Sequence, residues 1–328
     1  MSVKKKDIAE YLGVSRATVS MAFNNSPTST ISEETRSRIL QAAKDLGYRD
    51  TNFNSNITYI IYNRPDNDPR YLHDLKEIEK AVREHHYQLQ FMNISSNPSE
   101  KLSLIQFIKT SDPKGLILTG DIDNEIIDLI QSTGVPFVIF GGHRREGLPI
   151  VIPDHKKAAY EAVKYLLKFG HRRIALFNGS IDFEVHRLAI EGYTQAMKEY
   201  DVEVDKTLIQ ISKDEDGYEM CGRMSALNIE YTAAYCANTV IQFGVLQRLK
   251  DENCQVPGQK SLIGYGYTDL NHLSVPSLTS IYVDVSEKKR LVKYMMELIN
   301  NPEQAKELMY LTEMNFFEGE TVSVRLNN

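Results

Sequence analysis

The chain has only three cysteines in 328 residues, Cys221, Cys236 and Cys254. They are odd in number and lack the paired spacing of a metal site. Neither a disulfide framework nor a zinc motif is therefore expected, and the pattern fits buried thiols in a reducing cytoplasm. Long apolar runs are also missing, since no stretch approaches the ~18 residues that span a bilayer. The start, Met1-Ser-Val-Lys-Lys-Lys-Asp7, runs straight into charge, so no secretory signal is expected and a cytoplasmic location, away from membranes, is. No G-x-G-x-x-G opens a helix after a strand, and no P-loop, G-x-S-x-G elbow or H-E-x-x-H occurs. No catalytic residue, metal or cofactor is expected. The eight histidines are scattered apart from His85-His86, which the pattern places at the end of a surface helix, facing water.

What is present fits a globular chain of more than one domain. Hydrophobic residues make up 42% and charged residues 25%, close to globular averages, and the length exceeds a typical single domain. The net charge of −6 is unevenly placed. Residues 1–49 hold eight basic and five acidic side chains, a balance of +3 that leaves −9 on the remainder. A basic head on an acidic body is the arrangement of a polyanion-binding module joined to something else.

Residues 1–50 read as three short helices. Ile8, Ala9 and Leu12 recur at helical spacing and Gly13-Val14 breaks the run. Ser15 is suited to cap a second helix with Val19, Ala22 and Phe23 on one face, and Ser32 a third. The buried stripe of the third helix is expected to be Ile39, Leu40, Ala43 and Leu46, with Gly47 as its stop. Two helices joined by a tight glycine turn have the dimensions of a helix-turn-helix. The second presents Ser15, Arg16, Ala17, Thr18, Ser20 and Met21, short hydroxyls and one arginine where a plain surface helix would favour Glu and Lys.

From residue 57 strand and helix alternate. Apolar runs at 57–62, 88–93, 115–118 and 135–140 are spaced by helical segments, and a second series continues through 173–177, 207–211, 233–237 and 261–264. Apolar strands separated by helices predict parallel sheets covered on both faces, and two such series predict two doubly wound lobes. Ligands of that architecture bind where strand C-termini open into a cleft.

The segment Lys6-Asp-Ile-Ala-Glu-Tyr-Leu-Gly-Val-Ser-Arg-Ala-Thr-Val-Ser20, with Asn24, Ser32-Glu-Glu-Thr-Arg36 and Ala43-Lys-Asp-Leu-Gly-Tyr48, resembles the headpiece of the LacI/GalR family of bacterial repressors. Gly170-His-Arg-Arg-Ile-Ala175, Val256-Pro-Gly258, Leu278-Thr-Ser-Ile281 and the ending Glu320-Thr-Val-Ser-Val-Arg325 extend the resemblance over the whole chain, the last to the family's final strand. It implies a helix-turn-helix headpiece at 1–50, a linker at 51–56, and a two-lobed, periplasmic-binding-protein-like sensor at 57–328. The implied first lobe takes about 57–154 plus 283–309, the second about 155–282 plus 310–328. It further implies a homodimer on double-stranded operator DNA, controlled by a small-molecule effector.

Residue by residue, the resemblance implies that Ser15, Thr18 and Asn24 clamp phosphates and that Arg16 and Ala17 read bases. Ser20 and Met21 would lie along the groove, Met21 standing where many members carry arginine. The linker lacks the leucine that members push into the minor groove, leaving Phe53 as either a wedge or a local anchor. For the effector it implies Arg70 and Tyr71 within Asp68-Pro-Arg-Tyr71, Asp154, Arg187, Asn238 within Ala237-Asn-Thr239, and Tyr265 and Tyr267 within Gly264-Tyr-Gly-Tyr267. Gly266 stands where sugar-responding members have a hydroxyl-gripping aspartate. With Arg70 and Arg187 added, the effector is either a neutral sugar or an acidic derivative such as a sugar phosphate or uronate, because arginine forks match such anions. Arg70 is alternatively a solvated rim residue, and the His171-Arg172-Arg173 triplet is structural in the family. Competing readings are a protein co-regulator in place of the small effector, an enzyme, and a transport binding protein, which the headpiece and the missing signal disfavour.

Overall fold

A computed structural model describes residues 3–23, 31–46, 56–143, 145–301 and 308–325. Contacts divide the chain into two units, Met1–Ser55 and Asn56–Asn328.

The first unit contains α1 (Lys5–Leu12), α2 (Arg16–Phe23) and α3 (Glu33–Asp45). Gly13 ends α1 at φ +66°, the left-handed conformation that returns its N–H to the Ala9 and Glu10 carbonyls. Ser15 then starts α2, its Oγ accepting from Thr18 N at 2.9 Å, and Ser32 does the same for Thr35 N at 3.2 Å. Ile8, Ala9, Val19, Ala22, Ile39, Ala42 and Ala43 form the core. Leu40 does not join it, being 39% exposed. The stripe of α3 runs through Ile39, Ala42, Ala43 and Leu46, so three of the expected positions hold and Ala42 takes the place of Leu40.

The second unit is built on two sheets of six strands each. The first holds β1 (Asn56–Tyr62), β2 (Gln88–Ile94), β3 (Gly115–Gly120), β4 (Phe137–Phe140), β5 (Ile150–Pro153) and β11 (Leu308–Leu311), in the order β11-β5-β4-β3-β1-β2. Every pairing in it is parallel. The second holds β6 (Ile174–Asn178), β7 (Ile209–Ile211), β8 (Ala233–Cys236), β9 (Ser261–Tyr265), β10 (Thr279–Val283) and β12 (Met314–Phe317), in the order β12-β10-β9-β8-β6-β7. Only β12 runs antiparallel there.

Parallel strands need helices on both faces. The first sheet is covered by α4 (Pro69–Glu84) and α12 (Val285–Asn300) on one side, and by α5 (Pro98–Ser111) and α6 (Asn124–Gln131) on the other. The second is covered by α7 (His155–Lys168) and α8 (Glu184–Glu199), and opposite them by α9 (Gly217–Ala226) and α10 (Thr239–Asp251). A one-turn α11 (Leu270–Leu273) precedes β10.

The chain passes between the lobes after β5, after β10 and after β11. The last passage follows Leu311, which pairs with Pro153 in the first sheet, so the first lobe keeps Tyr310 and Leu311, which the sequence had assigned to the second. The ending 321–325 is not a regular strand. It is pinned to β9 by Leu262 N donating to the Thr321 carbonyl (2.7 Å) and Thr321 Oγ1 to the Leu262 carbonyl (2.7 Å). His171 is buried, with Nδ1 3.0 Å from Thr232 Oγ1 and Nε2 3.2 Å from the Ser323 carbonyl, a structural tie between loop and ending.

Helices α7 and α8 pack closely where Gly192 lies against α7. A Cβ at Gly192 would run into the Lys156 carbonyl and stand 2.9 Å from the Ala159 methyl. Gly192→Ala should cost roughly 1–3 kcal/mol through forced backbone displacement. Urea unfolding should give a lower midpoint with an unchanged slope, and an unshifted midpoint would contradict this packing.

Candidate functional site

On the first unit the residues opposite the core define one face of α2. Val19 and Ala22 point inward, which leaves Arg16, Ala17 and Met21 exposed and Ser20 half-buried. Ser15 and Thr18 flank the helix start, their hydroxyls 2.8 Å apart. Asn24 and Phe53 lie outside the described residues.

On the second unit, each sheet has a switch point where strand order reverses, between β1 and β3 and between β6 and β8. Register brings the four C-terminal ends into pairs: Tyr62 lies opposite Gly120, and Phe177 opposite Cys236. Gly120, at φ +106°, turns the chain so that Asp121 N donates to the Tyr62 carbonyl at 2.9 Å. The next residues, Arg64, Asp121 and Asn238, face a cavity of about 350 Å³ between the lobes, the location expected for a ligand in open α/β sheets.

Of the effector positions expected from sequence, Arg70, Tyr71, Asn238, Tyr265 and Tyr267 line this cavity. Asp154 and Arg187 do not. Asp154 is the N-cap of α7, accepting from Lys157 N at 2.9 Å, and that bond holds its carboxylate at the helix start. Arg187 is drawn to its own helix, donating to Glu184 Oε2 (2.8 Å) and to the Ile181 and Asp182 carbonyls.

Arg70 is not a solvated rim residue. Its guanidinium forks onto Asp68, with Nη2 2.7 Å from Oδ2, and Nη1 lies 2.8 Å from Glu215 Oε2. Arg64 bridges Asp121 (2.6 Å) and the same Glu215 oxygen (3.1 Å). His186 Nε2 is 3.0 Å from Glu215 Oε1. Burial opposes the charge on Glu215, yet the His186 hydrogen bond and the two guanidinium charges hold its carboxyl well below the usual range. The lining carries Arg64, Arg70 and Lys288 against Asp74, Glu77, Asp121 and Glu215. Lys288 pairs with Asp74.

Aromatic rings close the walls. Tyr267 stacks on Tyr282 with centroids 4.7 Å apart, and His155 packs against Tyr265 at 4.5 Å. Burial pushes the Tyr71 phenol up to about 12, so it remains a neutral donor. Two lining residues carry a buried N–H without a partner: Arg64 Nε and Asn238 Nδ2. Asn238 Oδ1 is already used, capping α10 by accepting from Ile241 N at 2.9 Å.

Arg64, Asp121, His155, His186 and Glu215 were not identified from sequence. Arg64 and Asp121 follow strand ends, a positional signal that was available; Glu215, in a loop at φ +54°, left none.

A helix-turn-helix unit on one chain with a two-lobed, cleft-bearing α/β unit defines a DNA-binding transcriptional regulator. Residues 55–303 match the family described as periplasmic binding proteins and sugar binding domain of LacI family, and residues 5–50 match bacterial regulatory proteins, lacI family. The chain belongs to the LacI family of bacterial regulators. It is 26% identical over 307 residues to the HTH-type transcriptional repressor PurR of Pasteurella multocida, covering 90% of this chain and 91% of that one. It is 29% identical over 288 residues to the HTH-type transcriptional repressor CytR of Escherichia coli, covering 84% and 83%. In fold it is similar to the lac repressor dimer bound to operator and the anti-inducer ONPF, with a TM-score of 0.69 at 19% identity, covering 98% and 100%. No helix among the described residues is long and apolar enough to cross a membrane.

Burial, helped by the neighbouring His186, depresses the His155 imidazole to about 3. A histidine held neutral in the fold contributes stability that is complete above its unfolded value near ~6.5 and declines as pH falls toward the folded value. Wild type should therefore lose roughly 2–3 kcal/mol more than His155→Gln between neutral pH and about pH 4.5. Urea titrations across that range would read the difference, and equal losses would contradict a neutral His155.

Proposed function

We propose that this protein is a cytoplasmic repressor that binds a two-fold operator as a homodimer and is controlled by a small polar effector, a sugar or sugar derivative, held between the lobes. One observation carries the reading. A chain whose α2 exposes Arg16, Ala17 and Met21 also encloses a cavity where Arg64 Nε and Asn238 Nδ2 have no acceptor. A buried donor without a partner is costly, so an oxygen-bearing ligand stabilises the state that holds it. Tyrosine rings on the walls suit the apolar faces of a sugar ring, and the carboxylates suit its hydroxyls. The repressor names of relatives and the operator-bound dimer of the lac repressor support the DNA half of the reading.

On DNA, Ser15 and Thr18 contact phosphate while Arg16 and Ala17 read base edges, with Ser20 and Met21 along the groove. Asn24 and Phe53 are assigned to the same interface from sequence alone. Arginine reads guanine through two parallel hydrogen bonds. Arg16→Ala should relax preference at one base pair per half-site at roughly 1–3 kcal/mol each, measured by binding to an operator library. A uniform loss on all sequences would reduce Arg16 to a phosphate contact.

For the effector, Asn238→Ser keeps a hydroxyl to cap α10 and deletes the amide donor. A panel of sugars and sugar derivatives, read by thermal shift and then by operator binding, should identify a compound that acts on wild type. The variant should bind operator within a few-fold of wild type and lose the response to that compound. A normal response would remove Asn238 from the site.

A further inference from the structure

We propose that Glu215 is a built-in carboxylate ligand for the Arg64–Arg70 pair, so that the cavity takes an uncharged, hydroxyl-bearing effector and excludes phosphate and carboxylate groups. The inference rests on the reading of this cavity as the effector site and narrows the class of compound it accepts.

Two arginines lining a cavity suggest an anion site, and these would suit one if they were free. They are not. Glu215 comes from the loop after β7 in the second lobe, whereas Arg64 and Arg70 belong to the first. One oxygen of its carboxylate meets both guanidinium groups, at 3.1 and 2.8 Å, and the other meets His186 Nε2 at 3.0 Å. Asp121 and Asp68 take further guanidinium nitrogens, so each arginine already faces two carboxylates.

Glu215 is 5% exposed. An incoming anion has to displace it, and the displaced carboxylate would be left buried without its two guanidinium partners, the arrangement that makes breaking a buried ion pair unfavourable. A neutral polyol does not meet this obstacle. Its hydroxyls accept from Arg64 Nε and Asn238 Nδ2 and donate to carboxylates already in place. Glu215 thereby sets specificity by occupying the anion position itself.

The test uses the full-length protein with inorganic phosphate as probe, read by isothermal titration calorimetry at constant ionic strength. Wild type should show no saturable phosphate binding. Glu215→Gln keeps the shape and an acceptor for His186 while removing the charge, and should bind phosphate at least about tenfold more tightly than wild type. The added binding should vanish in the double variant Glu215→Gln with Arg64→Gln. Should Glu215→Gln fail to fold, Glu215→Ser, which empties the anion position, should gain phosphate binding in the same direction. Saturable phosphate binding to wild type, no gain in a folded variant, or a gain that survives loss of Arg64 would each overturn the proposal. None of these results involves operator binding, so the assignment as an effector-controlled regulator stands or falls separately.

Discussion

The second unit is constrained by its three crossings between lobes. β11 completes the first sheet only after the chain has left it and returned, and β12 completes the second immediately afterwards. The crossings are therefore tied to one another. Asp154 N donates to the Leu311 carbonyl and Asp284 N to the Glu313 carbonyl, both at 2.9 Å, while Thr312 N donates to Glu287 Oε2, also at 2.9 Å. Lys157 Nζ adds a bond to the Thr312 carbonyl at 2.9 Å. Few segments join the lobes, and all of them lie together, which is the geometry of a hinge.

Parallel strands make this hinge productive. Each sheet sends its C-terminal ends in one direction, and both switch points open on the space between the lobes. Loops that follow β1 and β3 meet loops that follow β7 and β8 there, and the opposed charges meet with them. Glu215 makes an electrostatic contact between the lobes, accepting from both Arg64 and Arg70 across the gap. Its ion pairs are inter-lobe contacts, so a ligand that alters them alters the relative stability of lobe arrangements. That is the physical requirement for an effector to be felt elsewhere in the molecule.

The parts of this structure legible in the sequence are those written in local pattern. Gly13 and Ser15 announce a turn and a cap because a left-handed residue and a side-chain oxygen are each needed there. The apolar runs of β1, β3, β6 and β8 announce doubly covered sheets. Leu40 falls outside the core because hydrophobicity alone does not fix helix phase when small residues can fill the core, as Ala42 does. Asp154 and Arg187 sit in the right stretch of chain, but backbone N–H groups and an adjacent Glu184 claim them first. The Glu215–Arg64 pair joins residues 151 positions apart, and no local spacing encodes a contact of that range. Tyr71, Tyr265 and Asn238 lie at the cavity because their positions follow from strand and helix ends, which sequence does place.

In the proposed function, operator affinity and cavity occupancy are two readouts of one equilibrium. Two coupled sites must shift each other's affinity by the same factor, typically about 5- to 150-fold. The most direct measurement is operator dissociation constant, by fluorescence anisotropy at fixed salt, with the protein free and saturated with a neutral sugar shown by crystallography to occupy this cavity. A change of at least about fivefold, in either direction, is expected. A ligand seated among Tyr71, Asn238 and Tyr265 that leaves operator affinity unchanged would contradict it.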